Sequence, residues 1–182
     1  MQKNLIRQLP NFLSVIRFPL GCLFAVLLVF RFTEENFSLW SLPFCFATIA
    51  LSDFFDGQIA RHWACQSHIG EILDVTSDSF FILLSLILLN FYHIIPIWFT
   101  TIVILKLMDF ILSSRIFSAS KRWNFVFDFL GRMAAVGFYV VPVLAGLFPH
   151  TFLISAFTYS LALVAILSSI LRWAFFAWHQ HT

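Results

Sequence analysis

This sequence predicts an all-α, polytopic membrane protein, a bundle of six membrane-spanning helices, and three observations carry that expectation. Apolar residues make up 60% of the 182-residue chain and charged ones only 11%, against roughly 25% charged usage in soluble domains. Apolar stretches long enough to cross a hydrocarbon core of about 30 Å recur along its whole length. No Gly/Ser-rich linker, low-complexity tract or soluble appendage separates them, so residues 1–182 read as a single domain.

The elements follow in order. Residues 1–9 read as a short amphipathic segment, with Leu5, Ile6 and Leu9 on one side and Lys3 and Arg7 placed to meet anionic headgroups. Spans are then expected at about 12–30, 37–60, 70–91, 94–114, 126–147 and 152–178. Pro96, Pro142 and Pro149 fall near span ends or mark kinks, and Arg172 marks a place where the sixth span would break or be shortened. The first apolar run is too long for a secretory signal and has no small-x-small cleavage pattern after it.

Lys and Arg set the orientation of such a bundle. With a cytoplasmic amino terminus, ten of the eleven (Lys3, Arg7, Arg17, Arg61, Lys106, Arg115, Lys121, Arg122, Arg132 and Arg172) lie in cytoplasmic segments or the adjoining half-spans, and Arg31 alone lies outside. Both termini are then cytoplasmic. So are the ends of spans two and three, where the chain concentrates its acids.

Those acids are the chemically informative feature. The chain reads Asp53-x-x-Asp56-Gly57-x-x-Ala60-Arg61, then eight residues, then Gly70-x-x-x-Asp74-x-x-x-Asp78. An Asp at the centre of a membrane helix costs roughly 2.5–3.5 kcal/mol, so four together need a compensating partner such as a metal, an arginine or water. Asp53, Asp56, Gly57 and Ala60 recur at three- and four-residue steps and form one helical stripe; Gly70, Asp74 and Asp78 form another. The short connection, 62–69, returns the second helix antiparallel to the first, so both stripes can line one cytoplasmic-side cavity. Gly57, Ala60 and Gly70 keep its walls low. Oxygen ligands without Cys or His suit Mg2+ or Mn2+ rather than zinc, and a pair of such ions can clamp a pyrophosphate. Arg61 adds a fork of donors for the same phosphates.

This run resembles the signature of the CDP-alcohol phosphatidyltransferases, integral membrane enzymes that move a phosphatidyl group from a CDP-linked lipid to an alcohol and release CMP. All eight specified positions match, and the motif occupies 26 of the 182 residues. The resemblance implies metal ligation by Asp53, Asp56, Asp74 and Asp78, with Asp78 also the base that takes the proton of the acceptor hydroxyl. It implies a CDP-lipid site lined by Gly57, Ala60, Arg61 and Gly70, joined by Ser67, whose alternative role is an N-cap for the helix that follows. Pro10-Asn11-Phe12-Leu13-Ser14-x-x-Arg17 resembles a second, weaker family element. Asn11 is placed with the CDP-lipid by that likeness; the plainer reading has Asn11 capping a helix and Arg17 snorkelling to the interface. Two Mg2+ (or Mn2+) ions, CDP-diacylglycerol as donor, a bacterial inner-membrane location and a homodimer follow from the same resemblance.

A phosphorylated acceptor also needs cations. Arg115 and Arg132, then Lys106 and Lys121, are the candidates, set against the positive-inside rule and a simple Lys106–Asp109 pairing. Glycerol 3-phosphate is the first acceptor expected; inositol phosphate, serine or another alcohol stand behind it. Family members that use glycerol 3-phosphate usually have Pro after the third Asp and Ala-Asp-Lys around the fourth, where this chain has Asp74-Val75-Thr76-Ser77-Asp78-Ser79.

The remaining signals are plain. Cys22, Cys45 and Cys65 lack C-x-x-C spacing, the six His lack metal-ligand spacing, and a net charge of +2 spread over the chain does not suit nucleic acid. Readings from other classes are a divalent-cation or proton-coupled carrier and an inactive scaffold retaining the fold.

Overall fold

In the computed structural model, residues 2–62, 68–117 and 125–180 are described, with side chains over 14–55, 58, 70, 72–112 and 130–174. They form six helices: α1 (Gln2–Thr33), α2 (Ser41–His62), α3 (His68–Phe91), α4 (Ile97–Phe117), α5 (Phe125–Leu147) and α6 (Phe152–Gln180). No strand occurs among the described residues.

Among the described residues, four segments are long and apolar enough to cross a membrane: Ser14–Thr33, Ile72–Phe91, Leu130–Leu147 and Phe152–Ala174. The apolar part of α2, Ser41–Phe55, is shorter. Charged residues fall on both other helices: α2 ends in Asp53, Asp56 and Arg61, and α4 carries Lys106, Asp109 and Arg115. Residues 2–9 belong to α1, which runs unbroken from Gln2. One expectation about helix ends is revised: the sixth helix does not break at Arg172, whose side chain is buried and lies 3.7 Å from Asp109 on α4.

By its internal contacts the chain divides into two compact units, Met1–Tyr92 and His93–Thr182. In the first, α1 packs on both α2 and α3. Each helix turns a stripe at three- and four-residue spacing toward the others: Ser14, Arg17, Gly21, Phe24 and Leu28 on α1, Leu42, Cys45 and Ile49 on α2, and Ser77, Phe81, Ser85 and Leu89 on α3, all buried. Phe24 meets Phe81 edge to face at 5.1 Å, and Phe32 lies 4.8 Å from Tyr92 where α1 and α3 end together. The hydroxyl of buried Ser77 donates to the Asp74 carbonyl at 2.9 Å, which satisfies it within its own helix.

In the second unit α6 packs on α4 and α5. Trp98 stacks on Tyr159 at 4.9 Å, and Phe99 meets Phe138 at 6.0 Å. Gly137 on α5 faces Leu161 on α6 so closely that a Cβ there would overlap the leucine methyls. Small residues admit such close helix approach in membranes. Gly137→Val should therefore cost about 1–3 kcal/mol, the usual penalty of overpacking, and denaturant unfolding in detergent is the measurement. Just beyond α3 and α5, His93 and His150 have φ of 55° and 59°, the left-handed conformation that ends many helices. Both are exposed.

Candidate active site

The three stripes of the first unit converge on charge. Along α1 the buried face reads Leu28, Phe24, Gly21, and the next step toward the amino terminus is Arg17. Along α2, Leu42, Cys45 and Ile49 lead to Asp53, and along α3, Leu89, Ser85 and Phe81 lead back to Asp78 and Asp74. Because α2 runs against α1 and α3, these ends meet. The periodicity that builds the apolar core thus also delivers one guanidinium and three carboxylates to a single place.

Their geometry is close. Nη1 of Arg17 donates to Oδ1 of Asp78 at 2.9 Å and lies 3.0 Å from Oδ1 of Asp53, while Nη2 donates to Oδ1 of Asp74 at 2.5 Å. Arg17 is 1% exposed, whereas the three acids keep 45%, 42% and 33% of their side-chain surface in the order Asp53, Asp74, Asp78. The arginine is sealed among the helices and the acids open outward. One oxygen from each of these three acids lies within 4.8 Å of the others. An oxygen-only set this compact fits a hard divalent cation, and the guanidinium among the oxygens shows that the arrangement accepts positive charge.

The expected site residues fare as follows. Asp53, Asp74 and Asp78 are brought together. Gly70 lies in the first turns of α3, one turn before Asp74. Asp56, Gly57, Ala60 and Arg61 are on α2, Asn11 on α1 and Arg115 on α4, with side chains outside the described set. Ser67, Lys121 and Cys65 lie outside the described residues altogether. Arg132 is exposed on α5.

Lys106 is in different surroundings from those expected of a substrate-facing cation. It is 8% exposed, and its Nζ donates to Oγ of Ser168 at 2.6 Å and of Ser169 at 2.8 Å. The simple pairing with Asp109 is present at 3.6 Å. Asp109 further accepts from Ser169 Oγ and Trp173 Nε1, both at 2.8 Å, and lies 3.7 Å from Arg172. This network joins α4 to α6 in the second unit.

Sequence reasoning missed two things. It left Arg17 between a snorkelling role and a place in the weaker family element and did not pair it with the acids, although its place on the Ser14–Leu28 stripe was a legible signal: a cation on the buried face of an apolar helix requires an acid opposite. It also gave Arg172 only a part in topology and passed over Ser168, Ser169 and Trp173, none of which carries a motif.

A sequence profile of the CDP-alcohol phosphatidyltransferase family matches residues 7–178. The chain belongs to this family. The match takes in all six helices and the carboxylates just described. Among curated relatives, a cardiolipin synthase (CMP-forming) of Streptomyces coelicolor is 31% identical over 58% of this chain and 49% of its own. A CDP-diacylglycerol–glycerol-3-phosphate 3-phosphatidyltransferase of Cereibacter sphaeroides is 29% identical over 70% of this chain and 52% of its own. The human cardiolipin synthase (CMP-forming) is 33% identical over 63% of this chain and 36% of its own. The chain spans about a third to a half of the length of these relatives.

Proposed function

We propose that this protein transfers a phosphatidyl group from CDP-diacylglycerol to the hydroxyl of glycerol 3-phosphate and releases CMP, in a reaction that depends on a divalent metal. The observation that carries the proposal is the convergence of Asp53, Asp74 and Asp78, three acids of the family signature, on one place. Asp56, one turn from Asp53 on α2, completes the ligand set in this reading.

Bound Mg2+ or Mn2+ supplies charge neutralisation on the pyrophosphate and its leaving oxygen. The chain's own residues do the rest. Asp78 accepts the proton of the acceptor hydroxyl, whose oxygen attacks the lipid-side phosphorus; the bond from that phosphorus to the bridging oxygen breaks, and CMP leaves with that oxygen. Gly57, Ala60 and Gly70 leave room for the CDP group, and Asn11, Arg61 and Ser67 bind it. Arg115, Arg132, Lys106 and Lys121 are proposed for the acceptor phosphate, with Lys106 competing against its own serine and Asp109 partners.

All six helices are taken as spans in a single membrane domain. The shortest, α4, has 21 residues, and at 1.5 Å per residue such a helix rises about 31 Å, enough for a hydrocarbon core. The Lys and Arg distribution puts both termini and the carboxylates on the cytoplasmic face of a bacterial inner membrane. A homodimer is part of the proposal, and the mass of the detergent-solubilised protein tests it.

A second reading has support of its own: synthesis of cardiolipin, with phosphatidylglycerol as the alcohol. Relatives named cardiolipin synthase favour it, and so does the run Val75-Thr76-Ser77 between the last two acids, where users of glycerol 3-phosphate usually have Pro after Asp74 and Ala before Asp78.

One assay separates these readings. Purified protein is given CDP-diacylglycerol and Mg2+ with glycerol 3-phosphate, phosphatidylglycerol, inositol phosphate, inositol, serine or no acceptor, and CMP is measured. Glycerol 3-phosphate is expected to drive release; release with phosphatidylglycerol alone would replace it with the second reading. Removal of divalent ions with EDTA should bring CMP release to background, and added Mg2+ or Mn2+ should restore it. Full turnover in EDTA would exclude the metal-dependent mechanism.

A further inference from the structure

The terminal nitrogens of Arg17 touch Oδ1 of Asp53, Asp74 and Asp78 at 2.5–3.0 Å. A carboxylate-bound Mg2+ sits about 2.0–2.1 Å from its oxygens. An ion bound to these same three oxygens would lie against the guanidinium nitrogens, two positive centres at contact distance around one set of acceptors. The guanidinium and the ion therefore compete for the acids.

The burial pattern gives that competition a direction. Arg17 is sealed at 1% exposure on the same face of α1 as Phe24 and Leu28, so its charge needs an acidic partner whenever the protein is folded without metal. The acids, one-third to nearly one-half exposed, are open to an ion arriving from outside. One guanidinium against three carboxylates leaves excess negative charge, which continues to attract a divalent cation.

We propose that Arg17 is the built-in counterion of the metal-free site, held by Asp53, Asp74 and Asp78 until a divalent ion displaces it, and that it thereby sets the affinity of the site for the ion. The inference rests on the reading of these acids as metal ligands and adds to it a positioning residue. Arg17 keeps the three carboxylates gathered while no ion is present and lowers the affinity once one arrives, so the protein can fold before it is loaded.

The test uses the full chain in detergent, with Mn2+ alone as the probe and no substrate. Bound Mn2+ is counted by electron paramagnetic resonance, and thermal unfolding is followed with EDTA and at saturating Mn2+. Arg17→Gln should bind Mn2+ about tenfold more tightly than the parent, the gain expected for removing a unit charge about 6 Å from a divalent ion in a water-like dielectric. It should unfold at lower temperature than the parent in EDTA and recover with Mn2+. Arg17→Lys, which keeps the charge without the fork, should stay near the parent affinity.

Weaker Mn2+ binding in Arg17→Gln would overturn the proposal, and so would a variant that remains unfolded at saturating Mn2+, where the ions should have taken over the charge balance. Parent binding that is lost in Asp74→Asn, beside an Arg17→Gln affinity equal to the parent's, would overturn this inference and leave the metal site standing. Failure of both the parent and Arg17→Gln to bind Mn2+ would remove the two together.

Discussion

Asp78→Asn is expected to lower CMP release by about a thousandfold or more while the protein remains inserted and folded. The size follows from two losses at one residue. General-base assistance alone is worth about 10²–10⁴-fold, and an amide is also a poorer ligand for a hard divalent ion than a carboxylate. The fold should survive because Asp78 is one of several anchors of Arg17: Nη2 still donates to Asp74, Nη1 remains 3.0 Å from Asp53, and the core contact of Phe24 on Phe81 is untouched. A lost proton acceptor lowers kcat and kcat/KM together. The measurement is steady-state CMP release with the donor lipid and each acceptor varied, beside a melting curve of the same preparation. Turnover at the parent rate would remove Asp78 as the base, and a collapsed melting temperature would reassign it to structure.

The second large effect lies in the other unit. Asp109→Ala should destabilise the protein by about 3 kcal/mol, the lower end of the range for removing one partner of a buried ion pair. Asp109 is 14% exposed, and both cations it faces, Lys106 and Arg172, are buried. Its carboxylate also accepts from Ser169 and Trp173, so this side chain ties α4 to α6 beside the Lys106 bonds to Ser168 and Ser169. Removing it leaves two buried positive charges without their acid and two donors without this acceptor. Arg172 additionally lies against α5, where a Cβ added at Gly131 would sit 3.1 Å from its Nη2, so it has little room to turn away. Asp109→Asn keeps an acceptor while losing the charge and should cost roughly half as much. Unfolding by SDS or denaturant in mixed micelles measures both. A loss below about 0.5 kcal/mol for the alanine variant, the range of ordinary surface substitutions, would show that the network contributes no stability.

The helical architecture and the acids of the site were legible because each rests on short-range pattern. A helix is announced by twenty or so apolar residues and ended by polar or turn-forming ones, so the six helices fall where the apolar runs do. Asp74 and Asp78 share a face because four residues is close to one helical turn. The signature around them was readable as a string, and the profile match over residues 7–178 extends it to nearly the whole chain. The ends of the helices were less legible. Nothing local shows that α1 begins at Gln2 in one piece with the first span, or that α6 continues through Arg172.

What the sequence determined by itself, then, is a helical membrane protein of the phosphatidyltransferase family with its acids in two stripes; the partners of its charges were decided only by tertiary structure. Arg17 reaches Asp74 and Asp78 across 57 and 61 residues, and Lys106 and Asp109 reach Ser168, Ser169 and Trp173 across 60 to 64. Helical periodicity states which residues share a face and is silent about which face meets which. That choice is made when apolar stripes from separate helices close on one another, as Phe24 and Leu28 do against Phe81 and Leu89. The same closure leaves a membrane-buried cation no water to turn to, so it must take whichever acid the packing brings opposite.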